Sequence, residues 1–340
     1  MKRAAIIFFI FVLLGAGYFF FYSEPEPVFL PGGAGNLDAR FIAGEARRWG
    51  ERIDKAGPEK AYEELKAEYR LSDYGRQHTA AHVFGELLYD KMGAGGAAVC
   101  DFEFGFGCYH SFFGKAISID GEKTLPLFDE ECRRKLGEMY LPCQHGIGHG
   151  ILSHVGDEKL VEALNLCATI SWRPTGGCAT GVFMEYNFST MKDPARVTLR
   201  PYDAKSPYAP CPSLPQKFQA ACYFEQVQWW ENIFNGDYVK MGDLCDGIDE
   251  QFKLEKESCF RGIGNFAAPY YKYDVVQVID ACKKMPYFEA EVFCRESAAV
   301  MFLAGPNKNS ALFICAGLGG EAEEKCLQEA GDNPANSFLK

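Results

Sequence analysis

Fourteen cysteines fall into step along this chain, and their spacing limits what it can fold into more than any other feature. They stand at 100, 108, 132, 143, 167, 178, 211, 222, 245, 259, 282, 294, 315 and 326. Taken as consecutive pairs they are 8, 11, 11, 11, 14, 12 and 11 residues apart, and the second members recur every 35, 35, 44, 37, 35 and 32 residues. A period of that length marks a repeat architecture.

The surrounding residues keep the same phase. Cys143-Gln-His-Gly-Ile-Gly-His149 matches Cys259-Phe-Arg-Gly-Ile-Gly-Asn265, and Cys108-Tyr-His matches Cys222-Tyr-Phe. Segments that end on a first cysteine, Val161–Cys167 and Val275–Cys282, space their apolar residues as a helix does. Each unit therefore reads as helix A ending in one cysteine, a loop of about ten residues and helix B beginning at the next. Glycines early in helix B cost helix stability, so they point to close packing or fraying there.

Two pairings suit antiparallel hairpins. Linking Cys108 to Cys132 and so on strands Cys100 and Cys326. Pairing within each loop leaves none over, which predicts Cys100–Cys108, Cys132–Cys143, Cys167–Cys178, Cys211–Cys222, Cys245–Cys259, Cys282–Cys294 and Cys315–Cys326. The tighter Cys-x-x-Cys of a zinc or haem site is absent.

Disulfides on this scale need an oxidising compartment, and the N-terminus supplies a route to one. Lys2 and Arg3 precede Ala4 to Ser23, which hold no charge. As a helix those twenty residues would span about 30 Å, the thickness of the hydrocarbon layer. The expected organisation is a membrane anchor over 1–23, a spacer over 24–37 and a helical-repeat domain over 38–340, outside the cytoplasm. Gly15-Ala16-Gly17 offers the alternative, a cleaved signal peptide and a secreted protein. The anchor is preferred because Tyr18 to Tyr22 continues the apolar run past that site. A net charge of −11 argues against nucleic acid as a partner.

The ends and one unit are irregular. Leu37–Lys55 and Pro58–Tyr69 read as amphipathic helices capping the stack, and Arg76 falls where the first helix B would carry its cysteine. The unit from Cys178 to Cys211 is about ten residues longer than its neighbours, and Pro194, Pro201, Pro207 and Pro210 mark its extra segment as a protruding loop. Asn187-Phe-Ser189 fits a glycosylation acceptor, a weak three-residue match.

The period and the bridged helix pairs resemble Sel1-like and tetratricopeptide helical repeats, above all their cysteine-rich secreted forms. The resemblance covers residues 76–330 in repeat length and bridged hairpins only. The consensus positions are not matched, so no functional residue is carried over. It implies an all-α superhelical solenoid with a concave binding face; a closed α/α toroid of about seven hairpins has the same count.

Five of the six histidines share one place in that repeat. Two residues after the helix B cysteine (or Arg76) stand His78, His110 and His145; six residues after it stand His82 and His149. His78/His82 and His145/His149 are i, i+4 pairs, each able to chelate one ion from a single helix face. Neighbouring helices pack about 10 Å apart, so His110 is placed to bridge two sites, with Glu86 one turn beyond the first pair. The ion expected is a divalent metal such as zinc or iron. Further along, the same columns hold Thr180 and Met184, Phe224 and Gln228, Arg261 and Asn265, then Glu296 and Val300. Glu86, Arg261, Asn265 and Glu296 are thus expected to line a polar groove, with Glu185 and Glu225 as candidate catalytic acids or bases. The bland alternative, histidines that brace a neighbouring backbone, carries equal weight.

Two functions fit. One is a tethered binding scaffold that recognises a protein, peptide or glycan in a His-lined groove. The other is a metal-dependent hydrolase or oxidase, or a metal-handling protein. Neither pair is HExxH, and no nucleophile elbow, P-loop or dinucleotide fingerprint occurs.

Overall fold

A computed structural model describes residues 39–332 apart from 102, 138–139, 171–172, 192–199 and 306–307. The anchor and spacer expected over 1–37 lie outside the described residues, and no described helix is long and apolar enough to cross a membrane. Every regular element described is helical. In chain order they are α1 (Ala39–Ala56), α2 (Pro58–Tyr69), α3 (Tyr74–Met92), α4 (Gly107–Asp120), α5 (Leu125–Leu136), α6 (Tyr140–Val155), α7 (Leu160–Cys167) and α8 (Cys178–Met191). Then come α9 (Gln216–Phe234), α10 (Tyr238–Asp246), α11 (Lys253–Tyr270), α12 (Val275–Cys282), α13 (Phe288–Ala304), α14 (Ala311–Cys315) and α15 (Gly320–Asp332).

The long helices form one series. Each of α3, α4, α6, α8, α9, α11 and α13 packs against the next, and the shorter α5, α7, α10, α12 and α14 lie against that series. All seven disulfides join the cysteines paired within their loops, with Cα–Cα separations of 5.5–5.7 Å. Every cysteine is buried, so each bridge both closes a loop and fills core space, in five of the seven cases at the seam between a short helix and the next one. Closing loops this short is worth about 3 kcal/mol apiece in the chain-entropy account. The core is continuous, and Phe112, Phe113, Trp229 and Trp230 all belong to it.

Five of the seven first cysteines lie in the last turns of a short helix A. The other two do not, and composition explains why. Gly93-Ala-Gly-Gly96 opens a 3-10 turn before Cys100, because successive glycines cost too much backbone entropy for an α-helix. Cys211 follows the proline-rich insertion and begins only a short 3-10 turn.

That insertion does not protrude where it is described. Tyr202 packs on Trp229 and Phe234, the Trp230 indole N–H donates to Pro207 O (3.1 Å), and the Tyr208 hydroxyl donates to Leu244 O (2.9 Å). The aromatic side chains between its prolines give it an apolar underside, which folds back onto α9 and α10. Arg200 also turns inward, over Trp229 and onto Asn187 Oδ1 (3.0 Å). Asn187 is itself buried and donates to Glu225 O (2.7 Å), so it is no glycan acceptor.

The helix B glycines serve close packing. A Cβ on Gly148 of α6 would run into Cys178 O, and one on Gly181 of α8 would run into His145 O. The matching Gly264 meets Cys294 O on α13 in the same way. The repeated Gly-Ile-Gly string therefore lets adjacent long helices approach backbone to backbone. Side chains at equivalent positions are brought within reach of one another across the helices.

Candidate metal centre

The five histidines converge. Two groups form, His78/His82/His110 and His110/His145/His149, and in each the ligand atoms lie within 4.8 Å of one another. The His110 ring sits between the pairs, with centroids 4.8 Å from His149, 5.5 Å from His78, 5.6 Å from His145 and 5.7 Å from His82. His82, His110 and His149 are buried, while His78 and His145 keep some exposed surface where they line a cavity.

Hydrogen-bond partners fix which ring nitrogen carries the proton. Glu185 on α8 receives the Ser153 hydroxyl on one oxygen (3.0 Å) and His149 Nδ1 on the other (2.9 Å). His145 Nδ1 lies 2.9 Å from Thr180 Oγ1, whose own proton is directed to Gly177 O (2.8 Å). Both Nδ1 atoms of this pair are thus engaged by neighbouring oxygens, which leaves the two Nε2 atoms for each other. They face each other at 3.1 Å. Two nitrogens sharing a tetrahedral ion with bonds of about 2.05 Å would stand about 3.3 Å apart. A carboxylate or hydroxyl behind Nδ1 is also how proteins orient imidazole ligands.

The other pair is supported differently. His78 Nδ1 donates to Phe104 O (2.7 Å), which bares Nε2 toward His82 Nε2 at 2.9 Å. His82 Nδ1 has no hydrogen-bond partner among the described residues. The Phe104 carbonyl reaches His78 from a turn in which Phe104, Gly105 and Phe106 all have left-handed backbone, with φ of 56°, 63° and 63°. For the two phenylalanines that conformation costs about 1–2 kcal/mol each, and nothing in their sequence announces it.

Burial lowers the proton affinity of His78, and holds His82, His110 and His145 well below the usual histidine range. Those rings are neutral, the form that ligates a metal.

All five histidines lie on the wall of one cavity of about 500 Å³. Its wall runs from α3 to α13 and includes Thr180, Met184, Phe224, Gln228, Asn265 and Val300 from the two sequence columns. It also carries much apolar surface, from Phe106, Leu141, Phe188, Phe266 and Met301. Of the residues expected to line a polar groove, Asn265 is on this wall and Glu86, Arg261 and Glu296 are not. Arg261 and the fully buried Glu296 pair with each other (2.7 Å), and Lys325 approaches Glu296 at 3.3 Å. In the later repeats, then, the first column closes on itself through ion pairs.

The two candidate acids take different positions. Glu185 stands behind His149 as its orienting partner, both oxygens engaged. Glu225 is on the cavity wall, and burial alone pushes its carboxyl well above the ordinary range, which favours the protonated form. Ser153 and Phe104 O carry no sequence signal, since each acts through one hydrogen bond made possible by the fold.

Fold and site define a class: a protein helical throughout its described regular elements, bridged by seven disulfides, with five histidines clustered on the wall of one cavity. No protein-family model matches the chain, and no curated protein or solved structure matches it either. The likeness to Sel1-like and tetratricopeptide repeats therefore extends to period and bridged hairpins and no further.

Proposed function

We propose that the chain is an exported, membrane-tethered metal-binding protein with two three-histidine sites that share His110, whose ring would release its remaining N–H proton to solvent to serve two ions at once. The observation that carries this reading is the His145/His149 pair. Both Nδ1 atoms are engaged by Thr180 and Glu185, so the two Nε2 atoms face one another across 3.1 Å. A cation, either one proton or a metal ion, joins two nitrogens so placed, and the third imidazole alongside suits the metal. Three imidazoles per site suit zinc, copper, iron or nickel, and hard oxygen-seeking ions least.

Seven disulfides support the export half of the proposal, because such bonds persist outside the reducing cytoplasm. Residues 4–23 are the proposed anchor, and 38–340 the repeat domain that it holds outside the cytoplasm. A curved stack, open or closed, places the long helices inside and the short ones outside. The scaffold reading, with a protein, peptide or glycan as partner, rests on repeat architecture alone. It gives no reason for five ring nitrogens to be aimed at two points.

Metal analysis of protein made in an oxidising compartment tests the proposal. Wild type should retain up to two transition-metal ions per chain, and His149→Ala should lose one of them while keeping its helical circular dichroism. A folded wild type that holds no metal after incubation with zinc, copper or iron overturns the reading.

A further inference from the structure

The cluster and the cavity are one structure, and this suggests what the metal would be for. A structural site is closed by four protein ligands, whereas a working site keeps a position open. Here each group supplies three histidines, and all five rings face the same internal space of about 500 Å³. Glu185, the nearest carboxylate partner of the pair, has both oxygens committed to His149 and Ser153 and so does not close the shell. Away from the histidines the wall is mostly apolar, with Met184, Phe188, Phe224, Phe266, Val300 and Met301.

A ligand suited to that space has two parts: a small metal-binding head for the open position and an uncharged apolar body for the rest. An ionic body is disfavoured, because the wall away from the histidines is mostly apolar and burial shifts the Glu225 carboxyl away from its charged form. Resting on the metal-binding reading above, we infer that this cavity takes an apolar organic molecule by one coordinating group, directly on the histidine-bound metal. The volume suits a molecule of drug or fatty-chain size, since ligand pockets run from about 300 to 1,000 Å³.

Cobalt(II) gives a visible spectrum that reports its ligands, and hydroxamates of increasing chain length separate head from body. Acetohydroxamate, hexanohydroxamate and octanohydroxamate should each change the spectrum of the cobalt-loaded full chain. Affinity should rise about three- to fourfold per added methylene, as expected when each is transferred from water to an apolar wall. Val300→Phe should leave acetohydroxamate binding and cobalt content as they were and weaken octanohydroxamate at least tenfold. The failures are distinguishable. A chain that takes up no cobalt overturns the metal reading itself. A cobalt spectrum that hydroxamates leave unchanged, or an affinity flat with chain length in wild type, overturns only the apolar-ligand inference. The wild-type series decides this even if Val300→Phe fails to fold.

Discussion

His78/His82 and His145/His149 occupy the same two columns of the repeat, on helices built to the same plan, yet they are not equivalent. Behind His145 and His149 stand Thr180 and Glu185, one from each of two successive turns of α8, and Ser153 steadies the carboxylate. Behind His78 stands the Phe104 carbonyl, and His82 Nδ1 has no hydrogen-bond partner among the described residues. One pair has Nδ1 engaged on both rings, and the other on one ring. Outer partners raise ligand basicity and remove the freedom a ring would lose on binding. On the metal-binding proposal the His145/His149 site should therefore be the tighter, and His78/His82 the weaker, with His110 common to both.

The largest effect is expected where the comparison is broken outright. His110→Ala should weaken both sites together, by more than the roughly 10–100-fold that an outer partner controls, and isothermal titration should then lose both binding phases. If only one phase is lost, His110 does not bridge. Next in size, Glu185→Gln should weaken the tighter site by roughly 10–100-fold and bring it toward the weaker one. The second phase of the titration should stay where it was. An unchanged first phase contradicts the ranking of the pairs.

Smaller is the effect of the backbone contact that sets α6 against α8. Gly148→Ala places a methyl against Cys178 O and should cost about 1–3 kcal/mol of stability, typical of overpacking. Urea denaturation measures it, and the tighter site should loosen with it because His145 and Thr180 sit on opposite sides of that contact. Glu231 on α9, which is not on the cavity wall, serves as a control that should leave both pairs untouched. Burial raises its carboxyl from the ordinary 4.5 to about 8, against the opposing Tyr238 hydrogen bond. The folded state thus prefers the protonated acid, so this contribution to stability is complete below about pH 4.5 and is lost as pH rises toward 8. The slope it adds is at most about 1.4 kcal/mol per pH unit. Glu231→Gln should flatten stability over that window without changing metal affinity at either site.

The sequence carried the repeat because cysteine is rare and its partner must be near. Once the bridges set the phase, the two columns could be counted, and counting placed His78, His82, His110, His145 and His149 together. The glycines of Gly146-Ile-Gly148 were visible as a cost to the helix, and the structure supplies their reason in the contact with Cys178 O. What could not be read has a common physical origin: it depends on backbone direction or on how a segment folds back. Phe104 reaches His78 only through a left-handed turn. The prolines around Tyr202 and Tyr208 implied a protrusion, yet those rings pin the segment to α9. Arg261 and Glu296 belong to the column by number but satisfy each other, so a column position does not make a cavity residue.

The central claim is that a metal lies between facing ring nitrogens, and anomalous diffraction tests it most directly. Crystals of zinc-loaded protein, measured on both sides of the zinc edge, should show a peak about 2.0–2.1 Å from Nε2 of His145 and of His149, with a weaker one beside His78 and His82. A map with no peak there, and His145 and His149 instead joined by a proton or a water, would contradict the account.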